Sequence, residues 1–258
     1  MSGDQKIHGL DPMYFDRRRS LESALKWSGV AAEPRLVVDV GANIGQTLEN
    51  FLGWWPSAHC LSLEPLPDAF QKLETLASKI GANAEVMNVG LSDKPGSLIL
   101  HSSKAQPTAS SFLMWNGANE TNDSHRGLRG TPSSFELGDD DRFDVNVRVE
   151  TLDSIFSSQS ASRSLSLFAE LGLDILKMDV QGWELPVLQG ARELLKETKV
   201  VLTEWQFDDI YGQPPPIHEL DKILSDAGFR LWDISHIYKD LKTMRTLWVD
   251  LIYAKPAG

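Results

Sequence analysis

The stretch LVVDVGANIGQTLENF, residues 36–51, decides the fold of this 258-residue chain. A β-branched run ends in an acid, a turn with two glycines follows, and a helical pattern begins at Ile44. A strand that passes through a glycine turn into a helix is typical of α/β proteins, whose ligands bind beyond the carboxyl ends of the strands. Gly41 permits a tight turn, and the N-terminus of the next helix offers unpaired N–H groups to an anionic group.

The spacing of the glycines argues against a dinucleotide. The dinucleotide fingerprint is G-x-G-x-x-G, and Asn43 and Gln46 stand where its second and third glycines would be. An acid two residues before Gly41 suits a cationic or hydroxyl-bearing ligand better than a phosphate. S-adenosylmethionine, with an amino group and a carboxylate, therefore fits this turn. The predicted cofactor-binding residues here are Asp39, Gly41, Ala42, Asn43 and Gly45.

A second acid supports a cofactor that contains adenosine. Glu64 follows the next apolar run and lies 64 − 45 = 19 residues after Gly45. At this distance a carboxylate can accept hydrogen bonds from both hydroxyls of a ribose. The alternative is that Glu64 is only a favourable negative charge at the N-terminus of the following helix.

Apolar runs and helical patterns alternate along most of the chain, which predicts a doubly wound α/β sheet covered by helices. The simplest division is a helical extension over residues 1–34 and one domain over residues 35–258. No helix fits between the last two strands, so they should form an antiparallel hairpin. The predicted strands are 35–40, 58–64, 84–91, 173–180, 199–205, 229–234 and 247–255. The main helices are 11–30, 44–54, 67–80 and 183–195, with one more inside 214–229, after its prolines and before Gly228.

An inserted β and loop segment interrupts this alternation. The alternating runs 96–103 and 143–152 are expected to pair with each other. Residues 102–143 between them are rich in Ser, Thr, Asn, Gly and Asp, and such long irregular segments usually serve as lids or binding loops. We expect a lid or an acceptor-site insertion, with Trp115 as a residue that contacts the substrate.

Composition excludes several classes of protein. The net charge is −11 and the only dense basic run is Arg17–Arg19, whereas nucleic-acid binders usually carry a basic stripe. No apolar run reaches the ~18 residues that span a membrane, and the N-terminus lacks the apolar region of a secretory signal. A single cysteine fits a reducing compartment. We therefore expect a cytoplasmic protein with a small-molecule partner; oligomeric state is not predicted.

Three stretches together resemble the FkbM family of S-adenosylmethionine-dependent methyltransferases. They are VDVGANIG (38–45), VETLDSI (149–155) and DILKMDVQGWELPVLQGA (174–191). The resemblance implies a class I methyltransferase fold, with seven strands and the last one antiparallel, and methyl transfer, often to a hydroxyl of a sugar or secondary metabolite. The weaker stretches NVGLSD (88–93) and ASSF (109–112) add Leu91 and Ser92 to the predicted cofactor site and Ser110 and Ser111 to the substrate site.

The chain departs from the usual family pattern at two positions. Gln181 stands where the family usually has Glu, and Trp183 stands where it usually has a small residue. The first change removes a charge next to Asp179, and the second adds bulk near the expected acceptor. Both residues are therefore predicted to contact the substrate.

Methyl transfer to a hydroxyl benefits from a base or a metal that removes or weakens its proton. Asp179 ends the strand beside the glycine-loop strand and is the first candidate for base or metal ligand, followed by Glu204 and His218. The alternative for Asp179 is a helix cap. No His, Cys and carboxylate cluster has metal-ligand spacing, so a divalent metal is not indicated. Two alternative functions are a nicotinamide-dependent oxidoreductase and a non-catalytic Rossmann-like binding protein.

Overall fold

The computed structural model of the protein describes residues 16–30, 33–104, 108, 110–114, 141–158, 162–207, 216–239 and 243–257. The strands are β1 (Leu36–Val40), β2 (His59–Leu63), β3 (Ala84–Met87), β4 (Gly90–Leu91), β5 (Gly96–Ser103), β6 (Arg142–Glu150), β7 (Leu173–Met178), β8 (Thr198–Gln206), β9 (Arg230–Lys239) and β10 (Thr246–Ala254). The helices are α1 (Arg17–Trp27), α2 (Gln46–Trp54), α3 (Pro67–Ile80), α4 (Leu152–Ser157), α5 (Arg163–Leu171), α6 (Glu184–Gln189), α7 (Arg192–Glu197) and α8 (Ile217–Asp226).

Within these residues a seven-stranded sheet has the order β3-β2-β1-β7-β8-β10-β9. The first five strands of this order are parallel, and β10 runs antiparallel to both of its neighbours. The predicted doubly wound sheet with a C-terminal hairpin is therefore confirmed. Because consecutive strands spread in both directions from β1, its carboxyl end lies at the switch point where ligands bind in such sheets.

The central strands are buried on both faces, which explains their continuous apolar runs. Val38 and Leu176 belong to the core on one face of the sheet, together with residues of α6, α7 and α8. Val37 and Ile175, one position earlier, belong to the core on the other face, together with residues of α1, α2 and α3. No helix among the described residues is both long and apolar enough to cross a membrane.

A smaller three-stranded sheet, in the order β4-β6-β5, is the inserted segment. As expected, β5 and β6 pair antiparallel along their length. The prediction of one strand over 84–91 is wrong, because only 84–87 joins the large sheet while Gly90 and Leu91 pair with β6. A Cβ at Gly90 would lie 2.7 Å from Cζ of Phe112. A side chain at this position would force the Phe112 ring to shift.

The prediction of one helix over 183–195 is also wrong, because the chain breaks between α6 and α7. A Cβ at Gly190 would lie 2.2 Å from the carbonyl oxygen of Ser92, so the break lets the backbone approach the inserted sheet. The carboxylate of Asp153 accepts the backbone N–H groups of Glu193 at 3.1 Å and of Leu194 at 2.8 Å. A new helix therefore begins where a side chain from α4 satisfies its first donors.

The N-terminus of α5 is fixed by Glu85 of β3. Its carboxylate accepts the hydroxyl of Ser162 at 2.6 Å and the backbone N–H groups of Arg163 and Ser164 at 2.8 and 3.2 Å. Although burial alone would raise the pKa of Glu85, these hydrogen bonds lower it to about 2. The charged carboxylate therefore stabilises the junction between α5 and the edge of the sheet.

We expect Glu85→Gln to lower the free energy of unfolding by about 1.5–3 kcal/mol at neutral pH, the usual value of hydrogen bonds to a charged group. The folded-state pKa lies below the ordinary 4.5. The stabilisation is therefore complete above pH 4.5 and is lost as the pH falls from there toward about 2. Urea unfolding at neutral pH and below pH 4.5 measures this dependence. Glu74→Gln, at an exposed position on α3, is the control. If the difference in unfolding free energy between Glu85→Gln and the parent were the same at both pH values, the charge of Glu85 would not be the cause of the stabilisation.

Candidate active site

The loop from Gly41 to Gly45 joins β1 to α2 at the carboxyl edge of the sheet. The backbone of Gly41, Asn43 and Gly45 is left-handed, with φ of 75°, 50° and 102°. The N–H groups of Gly41 and Ala42 both donate to the carbonyl oxygen of Leu63 at 3.0 Å. The loop is therefore tied to the end of β2, where Glu64 follows.

Packing against backbone requires glycine at position 41, whereas at position 45 the left-handed backbone favours it and the nearest atoms belong to leucine side chains. A Cβ at Gly41 would lie 2.0 Å from the carbonyl oxygen of Asp179, and one at Gly45 would lie 2.5 Å from Cδ2 of Leu76 on α3. From the sequence, Gly41 was assigned to the turn and both glycines to the cofactor site. The structure shows that Gly41 also lets the ends of β1 and β7 meet, and that Gly45 lets α3 pack against the loop.

A non-glycine residue in a left-handed conformation usually costs about 1–3 kcal/mol. We expect Gly41→Ala to lower the free energy of unfolding by more than this. The reason is the additional clash with the carbonyl of Asp179. The control is Gly228→Ala, since Gly228 also has a positive φ, of 90°, and the nearest atom to an added Cβ is Cε of Lys255 at 3.9 Å. Chemical denaturation of both variants isolates the clash. Equal losses would show that β1 and β7 can separate at this point without cost.

Glu64 is buried, with 6% of its surface exposed, and both of its oxygens are engaged. Oε2 accepts the backbone N–H of Asn43 and Oε1 that of Leu66, each at 2.8 Å. Burial raises the pKa of Glu64 to about 7 against the lowering effect of these two bonds. A carboxylate oxygen has two lone pairs, so each oxygen can still accept a second donor. Glu64 both joins the glycine loop to α3 and keeps acceptor capacity.

Lys177 is a site residue that was not predicted from the sequence. It lies opposite Asp39 in the register of β1 and β7, and its Nζ is 2.8 Å from Oδ1 of Asp39 and 3.8 Å from Oδ2 of Asp179. Nζ also donates to the carbonyl oxygen of Gly41 at 3.3 Å. Burial would lower the pKa of Lys177, but the two carboxylates raise it above its ordinary value. One ammonium group therefore balances two acids at the switch point.

Asp39 keeps one oxygen without a hydrogen-bond donor among the described residues. The residue is 1% exposed, and its Oδ2 is buried with no partner there. Burial raises the pKa of Asp39, and the charge of Lys177 opposes that rise. A buried carboxylate oxygen without a donor is costly unless something else supplies one. A cationic group of a ligand would meet this need.

Asp179, Gln181 and Glu204 form one hydrogen-bonded cluster at the ends of β7 and β8. Nε2 of Gln181 donates to Oδ1 of Asp179 at 2.6 Å and to Oε1 of Glu204 at 3.3 Å. Gln206, which the sequence analysis did not select, donates to Oε1 of Glu204 at 3.1 Å. Burial and the charge of Asp179 raise the pKa of Glu204 well above its usual value. The amide of Gln181 therefore lies between Asp179 and a carboxyl group whose pKa is raised.

The turn after β7 aims Gln181 into this cluster. Gln181 is left-handed, with φ of 52°, and its carbonyl oxygen accepts the hydroxyl of the buried Ser111 at 2.7 Å. Oε1 of Glu184 accepts the N–H groups of Val180 and Gly182, both at 3.3 Å. Glu184 thus fixes the turn that the capping alternative had assigned to Asp179, and burial raises the pKa of Glu184 to about 7.

Ser111 connects the inserted segment to this turn. The backbone of Ser111 pairs with that of His101 on β5. Ser111 therefore lies against the small sheet while its side chain contacts the turn at Gln181. The ring of the next residue, Phe112, lies 5.7 Å from that of Trp183. Ser110 bonds instead to the hydroxyl of Ser102 at 2.8 Å. The structure therefore brings Ser111 and Trp183 to the region of Gln181.

The remaining predicted site residues are Leu91, Ser92, His218 and Trp115. Leu91 is part of the apolar core, and Ser92 donates its N–H to the carbonyl oxygen of Glu150 at 2.9 Å, so both belong to the junction of β4 and β6. His218 is exposed on the first turn of α8 and has no described hydrogen bond to the cluster. Trp115 and most of the predicted lid lie outside the described residues. No group of His, Cys, Asp and Glu in the described parts has the arrangement of a metal site.

Comparison with known proteins identifies the family. Residues 39–231, well over half of the chain, match the model of the methyltransferase FkbM domain. The 2-O-methyltransferase NoeI of Sinorhizobium fredii is 27% identical over 183 residues, which cover 70% of this chain and 67% of that protein. Methyltransferase sdnD of Sordaria araneosa is 28% identical over 204 residues, which cover 75% of this chain and 73% of that protein.

Among solved structures, the precorrin-6y C5,15-methyltransferase of Geobacter metallireducens has a TM-score of 0.43 and 11% identity, covering 98% of this chain and 96% of that one. The family assignment itself depends on the match over residues 39–231. That match includes the glycine loop, Glu64, Lys177 and the Asp179 cluster, and it confirms the resemblance seen in the sequence. The chain belongs to the FkbM methyltransferase family.

Proposed function

We propose that the protein is an S-adenosylmethionine-dependent O-methyltransferase that acts on a hydroxyl of a sugar or secondary metabolite. The observation that carries the proposal is the placement of two acidic sites side by side at the switch point. One consists of Asp39 and Glu64 beside the glycine loop, and the other of Asp179 and Glu204. The printed name of the relative NoeI, a 2-O-methyltransferase, supports a hydroxyl acceptor.

The residues of the first site fit the proposed cofactor. The unpartnered Oδ2 of Asp39 suits an amino group, and the remaining lone pairs of Glu64 suit ribose hydroxyls. The N-terminus of α2 adds a partial positive charge for a carboxylate. A dinucleotide fits less well, because Asn43 carries a side chain where a pyrophosphate needs bare backbone. When bound, S-adenosylmethionine supplies a methyl group on a positively charged sulfur.

The residues of the second site suit the activation of a hydroxyl. We assign to Asp179 the role of accepting the proton of the acceptor, since its side chain is 39% exposed and has an amide from Gln181 on one oxygen. Gln181 restrains the carboxylate, and Lys177 balances its charge from within the sheet. Glu204, with its raised pKa, is suited to donate a hydrogen bond to an oxygen of the acceptor. Orientation of the acceptor lowers the rest of the activation barrier, by at most ~7–11 kcal/mol.

A ligand titration tests the cofactor. S-adenosylhomocysteine should raise the melting temperature, since a ligand at about 100 times its Kd adds ~2.7 kcal/mol of stability, whereas NAD should have no effect. Labelled methyl groups from S-adenosylmethionine should then appear as O-methyl groups in hydroxylated acceptors, as NMR of the products would show. Stabilisation by NAD alone would support the oxidoreductase instead. Binding without transfer to any acceptor would support a non-catalytic protein.

The variant Glu64→Gln tests whether the cofactor binds beside Glu64. Gln keeps the size of the side chain but loses the charge and one of the two side-chain oxygens that accept backbone N–H groups. The affinity for S-adenosylhomocysteine should fall by roughly 1.5–3 kcal/mol, as for a lost charged hydrogen bond. Calorimetry that gives unchanged affinity in the folded variant would remove Glu64 from the cofactor site.

A further inference from the structure

Gln181 adopts a backbone conformation that its side chain disfavours. It lies in a tight turn over residues 180–183, in which the N–H of Trp183 donates to the carbonyl oxygen of Val180 at 3.3 Å. Both central residues of this turn are left-handed, with φ of 52° for Gln181 and 91° for Gly182. Turns of this kind usually have glycine, asparagine or aspartate at both central positions. A glutamine there needs contacts from other segments that keep its backbone in place.

Ser111 supplies one of these contacts. Its hydroxyl donates to the carbonyl oxygen of Gln181 at 2.7 Å and accepts the backbone N–H of Leu113 at 3.0 Å. Because the N–H of Leu113 can only donate, the single proton of the hydroxyl is directed at Gln181. Ser111 is 1% exposed. A buried hydroxyl that already makes these two bonds is suited to holding the turn rather than to meeting a substrate.

The position of Ser111 is itself fixed from two sides. Its backbone N–H and carbonyl oxygen pair with those of His101 on β5, at 3.0 and 2.9 Å. The ring of the next residue, Phe112, lies 5.7 Å from that of Trp183. On its other side this ring lies close to the backbone of Gly90, where an added Cβ would be 2.7 Å from Cζ. The small sheet therefore anchors Ser111 beside the turn.

The carbonyl oxygen and the side chain of Gln181 depend on the same backbone conformation. When its carbonyl oxygen faces Ser111, its side-chain Nε2 lies 2.6 Å from Oδ1 of Asp179 and 3.3 Å from Oε1 of Glu204. Gln206 donates to Oε1 of Gln181 at 3.1 Å, which fixes the end of the amide that faces the two acids. A rotation of this backbone into the right-handed region would turn the Cα–Cβ bond and move the amide away from both acids.

We propose that Ser111 is a positioning residue, which holds Gln181 in the left-handed conformation that places its amide between Asp179 and Glu204. This inference rests on the proposed function, in which the two acids act on the acceptor, and it adds a residue of the inserted segment to the reaction. Ser111 acts through Gln181 and needs no contact with the substrate. The small sheet therefore supports the catalytic turn from outside the large sheet.

NMR of the side-chain amide of Gln181 tests the proposal without any substrate. In protein labelled with ¹⁵N-glutamine, this signal is identified by its loss in Gln181→Gly, which should fold because glycine accepts a left-handed conformation. Ser111→Ala should shift the signal toward that of an exposed glutamine and speed the exchange of its protons with water. Ser28→Ala is the matched control and should leave the signal unchanged. Ser28 is also buried, and its hydroxyl donates to the backbone carbonyl oxygen of Lys199 at 3.4 Å.

Rates show whether the position of the amide matters to the reaction. The assay uses labelled S-adenosylmethionine, with glucose, galactose and N-acetylglucosamine each tried as acceptor. Ser111→Ala should lower kcat about tenfold to a hundredfold, the scale of a slightly misplaced group, while KM changes little. In Gln181→Gly no amide is left to position, so adding Ser111→Ala should have little further effect. Ser28→Ala should keep the parent rate.

If Ser111→Ala does not fold, Ser111→Cys takes its place, since a thiol is of similar size but only a weak donor. An unchanged Gln181 signal in the folded variant would overturn the proposal. An equal fall in kcat with and without the Gln181 side chain would also overturn it, because Ser111 would then act independently of that residue. A changed signal in a protein that methylates none of the three sugars would support the role of Ser111 and count against a sugar as the acceptor.

Discussion

Asp179→Asn is expected to lower the rate of methyl transfer by about 10²–10⁴, the usual contribution of a general base, while the affinity for S-adenosylhomocysteine changes little. Asparagine has the same size, and its Oδ1 can still accept the amide of Gln181, which lies 2.6 Å away in the parent protein. Only the negative charge is lost. Single-turnover measurements with labelled cofactor separate the chemical step from binding.

Two further measurements on this variant separate the other roles of Asp179. If it capped a helix, stability would fall by about 1 kcal/mol with the rate unchanged. The structure argues against this role, because the N–H groups of Val180 and Gly182 donate to Glu184 instead. If Asp179 held a metal, the parent enzyme would lose activity with a chelator and regain it with Mg²⁺.

The control for Asp179→Asn is Asp226→Asn, which removes a surface carboxylate from its pair with Lys222 on α8. This variant should keep the parent rate, because an exposed pair contributes little to stability and Asp226 has no described contact with the cluster. An Asp179→Asn enzyme with the parent rate would remove Asp179 from the chemistry. Orientation of the acceptor would then be the main source of the rate enhancement.

The sheet could be predicted because local patterns agree with the tertiary structure. The run at 36–40 is apolar on both faces, since β1 lies between two parallel neighbours and two layers of helices. Helix α3, from Pro67 to Ile80, matches its predicted span, because a proline at its start and a glycine after Ile80 mark both ends. The hairpin followed from the absence of a helical pattern between two apolar runs.

The breaks in the elements could not be predicted, because they depend on contacts between distant segments. Nothing near Gly90 or Gly190 indicates that one must pass under Phe112 and the other must meet the backbone of Ser92. Periodicity describes which face of an element is buried. It carries no information about how closely the backbone of another segment approaches, so the strand over 84–91 and the helix over 183–195 were each predicted as continuous.

Only part of the candidate site could be predicted, again because some of its contacts depend on the tertiary structure. Residues at the ends of parallel strands meet by topology alone, so Asp39, Glu64 and Asp179 could be selected from the sequence. Lys177 could not, because its role depends on the register that places it opposite Asp39. A signal was present: a lysine two residues before Asp179 in a largely apolar strand lies on the same face as that acid.

Lys177→Met should lower the free energy of unfolding by about 3–5 kcal/mol, the cost of removing one partner from a buried ion pair. The side chain of Lys177 is 9% exposed and that of Asp39 is 1% exposed, with 2.8 Å between Nζ and Oδ1. Methionine fills a similar volume, so the loss would come mainly from the buried charge left on Asp39. Guanidinium denaturation measures the effect, and Lys196→Met, in the exposed pair with Glu193, should change stability by less than about 1 kcal/mol.

The pH dependence of the stability loss in Lys177→Met tests whether the charge of Asp39 causes it. Burial already raises the pKa of Asp39 in the parent protein, and without Lys177 nothing comparable opposes that rise. The unfolded chain ionises Asp39 near its ordinary 3.8, so the deficit of Lys177→Met should grow as the pH rises from there through the folded-state pKa. The double variant Asp39→Asn, Lys177→Met should recover much of the loss, because a neutral amide replaces the uncompensated charge. A deficit that is independent of pH and is not relieved in the double variant would mean that Lys177 acts through its contact with Gly41, and that the ion pair contributes little to holding β1 against β7.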